Sequence, residues 1–377
     1  MLDTCRPGHP APGPTLVVVP VKDEAERITG CLRALAGQQD AQADGIVLLV
    51  NNTSDATVTV VHAARALLPV PVHVVEHWFP PGQASAGSAR RMGMEHAATL
   101  LGDRGVLLTT DADGRVPPDW VAANLWHLRA GADAVAGRAV LDPVDAALIP
   151  ARLHDDDAQE CAYAALLDEI AAVLDPEPWD PWPRHAEHSG ASIAVSLAAY
   201  RRAGGMPAAA LAEDRRFFQA LRRVDARIRH APEIQVVVSG RTLGRAEGGM
   251  ADTIRRRLAA PDPYLDSALE PALACARRAT LRHEFRRAHA GLQERAMLMS
   301  RLSYGLGLPY TAIVQACAGP CCGGGWAWLE AMSPALRRHQ VAVADLPREL
   351  AAARRLRGTL RVGADEQAGK VLARHSC

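Results

Sequence analysis

The segment Thr109-Thr110-Asp111-Ala112-Asp113-Gly114 places two carboxylates one residue apart, directly after the apolar run Gly105–Thr109. At the end of a buried strand, such a pair faces the crevice beyond the sheet edge. Mg²⁺ and Mn²⁺ take hard oxygen ligands, commonly one or two carboxylates together with substrate phosphates. A metal held there offsets charge on a departing diphosphate. Asp and Gly also favour capped turns, so the pair alone leaves both meanings open. Glu213-Asp214 is a second acidic pair, at the head of a helical stretch, where acidic residues also suit the helix dipole. His185, Glu187 and His188 precede Gly190-Ala191-Ser192 and are candidates to face a bound ligand, with a plain surface loop as the alternative. Arg241 is placed to clamp a diphosphate, with Arg245 and Gly248-Gly249 as a mobile lid. Trp179 and Trp182 are suited either to stack on an acceptor ring or to pack their Pro-rich segment.

Positioning these groups falls to an alternation of short elements. Thr15–Val19 and Gly45–Val50 are continuous β-branched or apolar runs, the signature of strands buried on both faces. Val70–Val75 and Gly105–Thr109 read as two more strands, and Ala134–Leu141, Ala191–Val195 and Ile234–Val238 as later ones. Helical spacing occupies Asp23–Leu35, Ala56–Leu68, Ser88–Leu100 and Leu211–Arg223. Strand and helix in strict turn predict an α/β, mostly parallel sheet flanked by helices. The polar residues to read are then those just past each strand: Lys22-Asp23-Glu24, Asn51 to Asp55, and Asp111 to Asp113.

The chain has 377 residues, 49% of them hydrophobic, enough for a sizeable core with an appended smaller part. Residues 1–14 read as a flexible tail, 15–249 as the α/β domain with an insertion at 142–188 on the acceptor side, and 250–377 as a mainly helical extension. Lys+Arg and Asp+Glu are both 42, so no global basic excess points to nucleic acid. Eight cysteines sit at irregular spacing without a zinc or disulfide pattern, Cys321-Cys322 among them reading as small buried residues, and the opening residues, with no basic segment before an apolar run, are not expected to act as a signal peptide. A cytoplasmic protein is expected, with a peripheral seat at a membrane surface as the alternative. The uncharged stretch Leu302–Leu329 is broken by Pro309, Pro320 and Gly323–Gly325, which predicts buried helix and loop rather than a membrane span.

The ordered motifs Val19-Pro20-Val21-Lys22-Asp23-Glu24, Asn51-Asn52-Thr53-Ser54-Asp55, Gly87–Gly93, Thr110–Trp120, Gly190-Ala191-Ser192, Arg202–Gly205 and Ala212-Glu213-Asp214 together resemble glycosyltransferase family 2 over about residues 14–245. The resemblance implies a GT-A, Rossmann-like fold and inverting transfer from a nucleotide-sugar donor with Mn²⁺ or Mg²⁺. It implies that Pro20, Val21, Glu24, Asn51, Asn52 and Asp55 hold the nucleoside, Glu24 near the ribose. Arg90 would lie near the base or diphosphate, Asp111 and Ala112 against the donor, with Asp111 and Asp113 at the metal. Asp214, after Glu213, takes the place of the catalytic base. Gly190, Ala191, Ser192, His188 and Trp182 are the acceptor-side candidates.

Two departures stand out. Asn51-Asn52 replaces a frequent Asp pair, adding donors as well as acceptors and leaving the preferred base open. Arg91 replaces a frequent Asn. The acceptor is left open among small molecule, glycan and lipid-linked intermediate, and a homodimer is compatible with the helical extension. Two other classes compete. A sugar-phosphate nucleotidyltransferase wants a Gly-rich basic loop after the first strand, and Pro20–Glu24 has no glycine. A non-catalytic binding module of the same fold would have no need of Asp113 and Asp214, and both are present.

Overall fold

The computed structural model describes residues 13–66, 68–209, 211–241, 244, 249–292 and 294–374, with side chains of the last helix to residue 361. The expected tail up to residue 12, Arg245 and Gly248 lie outside the described residues. The chain divides into two compact units, Met1–Ile149 with Glu187–Ala259, and Pro150–Ala186 with Ala260–Cys377.

The first unit is built on a seven-stranded sheet in the order β3-β2-β1-β4-β6-β5-β7. Its strands are β1 Thr15–Val21, β2 Gly45–Asn51, β3 Val72–His77, β4 Val106–Thr109, β5 Ala134–Leu141, β6 Ile193–Ser196 and β7 Ile228–Val238. All pairings are parallel except those of β6, which runs antiparallel to both β4 and β5. The unbroken apolar runs follow from burial on both faces, because alternate side chains enter two separate cores. Val17, Val19, Ile46, Leu48 and Leu108 pack with Ile28, Leu32, Val61, Trp120 and Leu125 of the helices on one face. Leu16, Val18, Val47 and Leu107 pack with Met94, Ala97, Phe217 and Phe218 on the other.

Strand β7 starts six residues earlier than the apolar pattern alone predicts, at Ile228 rather than Ile234. Arg229 and His230 mask this half of the strand in the sequence, although both are buried. Their first-half pairing with Ala134–Ala136 is separated from the second by an irregularity at Arg138.

The second unit is helical. The helix Ala151–Leu174 buries Tyr163, Leu166, Leu167 and Ile170 against Leu265, Ala272, Val341, Leu346 and Leu350. It therefore groups with the C-terminal region rather than with the sheet that flanks it in sequence. Several arginines of this unit turn inward. Arg278 holds Glu270 through two bonds of 2.8 Å and also binds Glu330. Arg282 and Arg286 both bind the fully buried Asp175. The uncharged stretch Leu302–Leu329 forms the end of one helix and two short ones, Tyr310–Ala318 and Cys322–Met332. Among the described residues no helix is long and apolar enough to cross a membrane.

Gly93 is where the helix Ala86–Leu101 touches β1. A Cβ there would come within 2.6 Å of Val18 Cγ1, and Val18 is locked in the core. Gly93→Ala is therefore expected to destabilise the protein by about 1–3 kcal/mol through overpacking, read as a lower midpoint in urea unfolding.

Candidate active site

The polar ends of β1, β2 and β4 collect at one edge of the sheet, as parallel strands require. Antiparallel β6 brings its beginning to the same edge, since Ile193 pairs with Thr109. Gly190-Ala191-Ser192 thereby joins Asp111–Asp113 from the opposite chain direction.

Arg90 organises this edge. It lies in the helix Ala86–Leu101, capped by Ser85, whose hydroxyl accepts from Ser88 N. The Arg90 guanidinium is 2% exposed. It donates to Thr109 Oγ1 at 2.7 Å, Gly190 O at 2.9 Å, Asp111 Oδ1 at 2.5 Å and Glu213 Oε1 at 3.3 Å. Burial works against its charge, but Asp111 and Glu213 more than compensate and hold it protonated. The resemblance puts Arg90 beside the donor's base or diphosphate. The structure instead buries it beneath the site, with its hydrogen bonds committed to protein, and the adjacent Arg91 is the exposed residue of the pair.

Two glycines make room for this arrangement. A Cβ at Gly190 would sit 2.4 Å from an Arg90 guanidinium nitrogen, and one at Gly87 would sit 2.3 Å from Ala209 O. Ala212, in the left-handed region at φ 53°, turns the chain into the helix Glu213–Arg223. That turn sends Glu213 to Arg90 and leaves Asp214 beside it. Asp214 accepts from Gly190 N at 3.1 Å and from Arg215 N at 2.7 Å. Burial, then the neighbouring Glu213, raises its pKa. Gly190 is thus gripped at its carbonyl by Arg90 and at its amide by Asp214.

A second cation faces the other acids. Arg241, just past β7, binds both oxygens of buried Glu24, with Nη1 at 2.9 Å from Oε2. Its Nη2 also lies 3.4 Å from Asp113 Oδ2. Asp113 is pushed up to about 6 by burial and by Asp111, against the pull of Arg241. Cys31 lies among these acids, its thiol 3.5 Å from Asp111 O and pushed up by burial, then by Asp113 and Asp111. A cavity of about 240 Å³ lined by Asp23, Glu24, Arg27, Asp55 and Arg241 opens beside this group.

The β1 and β2 tips are tied together. Glu24 N donates to Thr57 Oγ1 at 2.8 Å, Ala25 N to Asp55 Oδ2 at 3.3 Å, and Ser54 N to Asp23 Oδ1 at 2.7 Å. Asp55 also receives Thr57 N at 2.9 Å. Pro20, Val21 and Asn51 are buried at the strand ends. Asn52 explains its own amide: Nδ2 donates to Phe79 O at 2.9 Å while Oδ1 accepts from Phe79 N at 3.0 Å. A carboxylate there has no proton for the Phe79 carbonyl.

Other candidates have different surroundings. Ala112 and Ala191 are core residues. Ser192 is fully buried and accepts from Trp120 Nε1 at 2.9 Å. His188 packs on Phe218 with ring centroids 4.5 Å apart and meets His230 at 3.2 Å. Glu187 binds Arg138 at 2.5 Å. His185 and the half-exposed Trp179 and Trp182 belong to the second unit. Thr57 and Asp145 join the site without a place among the residues that the sequence marks. Asp145 receives Arg27, Ser239 Oγ and Gly240 N at 3.3, 3.0 and 2.9 Å. The Asp55-x-Thr57 spacing at a helix start was the available signal for Thr57.

Among the described residues no group of three or more His, Cys, Asp or Glu is arranged to hold a metal by itself. Asp111 and Asp113 fit the other arrangement, in which the protein gives one or two carboxylates and bound phosphates complete the shell. The raised Asp113 pKa comes first from burial, with Asp111 and Glu24 adding to it, so a cation beside these carboxylates would relieve part of the shift.

Neutral Asp113 is favoured in the folded protein, so its stabilisation is present below its ordinary value of 3.8 and lost as pH rises through about 6. Asp113→Asn is expected to be more stable than the parent, the gap widening between about pH 4 and 6 and levelling near 1–3 kcal/mol above about pH 7. Thermal melts of the ligand-free proteins across that range check this.

A family model described as Glycosyl transferase family 2 matches residues 16–162. No curated protein matches the chain in sequence. Solved structures similar to it include S. aureus TarS in complex with UDP-GlcNAc, at 13% identity over 93% of this chain and 92% of that one, TM-score 0.46. A mannosyltransferase from Pyrobaculum calidifontis, in complex with GDP-Man and Mn²⁺, is 16% identical over 96% and 90%, TM-score 0.41. Glucosyl-3-phosphoglycerate synthase from Mycobacterium tuberculosis, in complex with Mn²⁺, UDP and phosphoglyceric acid, is 18% identical over 65% and 77%, TM-score 0.37.

Proposed function

We propose that this chain, whose residues 16–162 match the family model described as Glycosyl transferase family 2, moves a sugar from a nucleotide diphosphate donor to an acceptor hydroxyl with inversion, using Asp214 as general base. The observation that carries this reading is the grip on Gly190. Through it, and through Arg90, the carboxylate of Asp214 is held at a fixed place relative to Asp111.

The roles follow from the surroundings. Asp214 keeps its carboxylate oriented by two backbone amides, and burial makes it a stronger base than an exposed aspartate. It takes the proton of the acceptor hydroxyl as that oxygen attacks the anomeric carbon, a contribution of typically 10²–10⁴-fold. Glu213 acts through Arg90 and is a positioning residue. Glu24 accepts hydrogen bonds from the nucleoside hydroxyls, beside the cavity that its loop lines with Asp23 and Asp55. Asn52 serves the nucleoside indirectly by fixing the backbone at Phe79. A divalent ion on Asp113 and Asp111, with diphosphate oxygens in its shell, would offset charge on the leaving group.

Asp214→Asn is expected to keep nucleotide affinity and lose about 10²–10⁴-fold in kcat. Thermal-shift measurements with UDP-, GDP-, dTDP- and CDP-sugars, with and without Mn²⁺, identify the donor series to use, since a ligand of the folded state raises Tm. Undiminished turnover in Asp214→Asn would remove it from the mechanism. A shift that Asp113→Ala leaves intact with Mn²⁺ would remove Asp113 as the metal ligand.

A further inference from the structure

We infer that Arg241 is the counter-ion of the donor-free site, and that its displacement couples metal binding to nucleotide binding. The inference rests on the metal-dependent reading above. One guanidinium serves two acids here. It forks onto both oxygens of Glu24 and reaches Asp113 Oδ2 at 3.4 Å. A planar fork on a carboxylate is a strong, oriented pairing, more so where both groups are half-buried or buried.

The root of the side chain is anchored. Arg241 N donates to Ser239 Oγ at 3.2 Å, and Gly240 N donates to Asp145 at 2.9 Å, at the end of β7. The guanidinium alone therefore has to move when the site fills. A divalent ion on Asp113 would repel a guanidinium held this close to the same oxygen. A ribose hydroxyl on Glu24 competes for the same fork. The two partners of Arg241 are thus claimed by the two parts of one ligand, the metal and the nucleotide it accompanies. Metal alone meets a guanidinium still tethered to Glu24, and nucleotide alone meets one still drawn to Asp113. Together they release it, and the diphosphate offers it new oxygens.

The consequence is a positive coupling that is the same viewed from either ligand, typically 5–150-fold in affinity. The experiment is an Mn²⁺ titration of the full chain, following free Mn²⁺ by electron paramagnetic resonance, with and without saturating UDP or GDP. The parent is expected to bind Mn²⁺ weakly alone and at least about fivefold more tightly with the nucleotide it prefers. Arg241→Gln should bind Mn²⁺ alone about tenfold more tightly than the parent, with the coupling reduced to the part that the diphosphate oxygens in the metal's shell supply directly. Arg241→Lys, which restores the charge, should return both quantities towards the parent values. Melting curves of each variant confirm that it is folded before titration. Mn²⁺ affinity in Arg241→Gln within about twofold of the parent, or weakened, would overturn the inference and leave Arg241 as a diphosphate ligand only. Absence of Mn²⁺ binding in the parent with either nucleotide would instead sink the metal-dependent reading, and this inference with it.

Discussion

A buried guanidinium tolerates very little error in its surroundings, and the candidate site is assembled around one. Arg90 has to find acceptors for its hydrogen bonds and negative charge for its cation inside the protein. It finds them on three segments distant in sequence: the end of β4 (Thr109 and Asp111), the start of the β6 approach (Gly190) and the helix beginning at Glu213, all reached from the helix Ala86–Leu101. Removing one partner of such a group typically costs about 3–5 kcal/mol, so each of these segments is held to its place by the needs of the others. Glu213 and Asp214 illustrate the division of labour. One carboxylate is consumed by the buried cation, and the other is left oriented and partly accessible.

The reversal of β6 is the topological counterpart. In a purely parallel sheet every strand presents its end to the ligand edge. Inserting one antiparallel strand between β4 and β5 lets the chain enter that edge through a strand's beginning. The peptide at Gly190 can then lie across the Arg90 guanidinium, which a side chain at this position would exclude. A second balance of charge operates at the tips of β1 and β4, where Glu24, Asp111 and Asp113 crowd together and Arg241 answers two of them.

Much of this was legible in the sequence wherever a residue type has a local reason. The runs TLVVV and GIVLLV have no polar face and so had to be strands covered on both sides. The acidic pairs fell at strand and helix ends, where topology gathers them. What was hidden had non-local reasons. Arg90 looks like any arginine on a helix, and only the meeting of four segments shows that it is buried. Arg229 and His230 disguised the first half of β7. The amide of Asn52, which hinted at base selection, is used up on the Phe79 backbone. Nothing local marks out Arg278 and Arg282 among the alanine-interleaved arginines of the C-terminal helices, yet both answer buried acids of their own unit.

The second unit is also discontinuous along the chain, and this has a bearing on synthesis. The helix Ala151–Leu174 emerges from the ribosome well before the segments that cover Tyr163, Leu166, Leu167 and Ile170, the first of them at Leu265. At roughly 5–20 residues per second, the intervening stretch of about 90 residues takes on the order of 5–20 seconds to make. During that interval the strands of the first unit are completed while the helix keeps an apolar stripe open. A holding chaperone has something to bind on this helix before Leu265 appears, and much less afterwards.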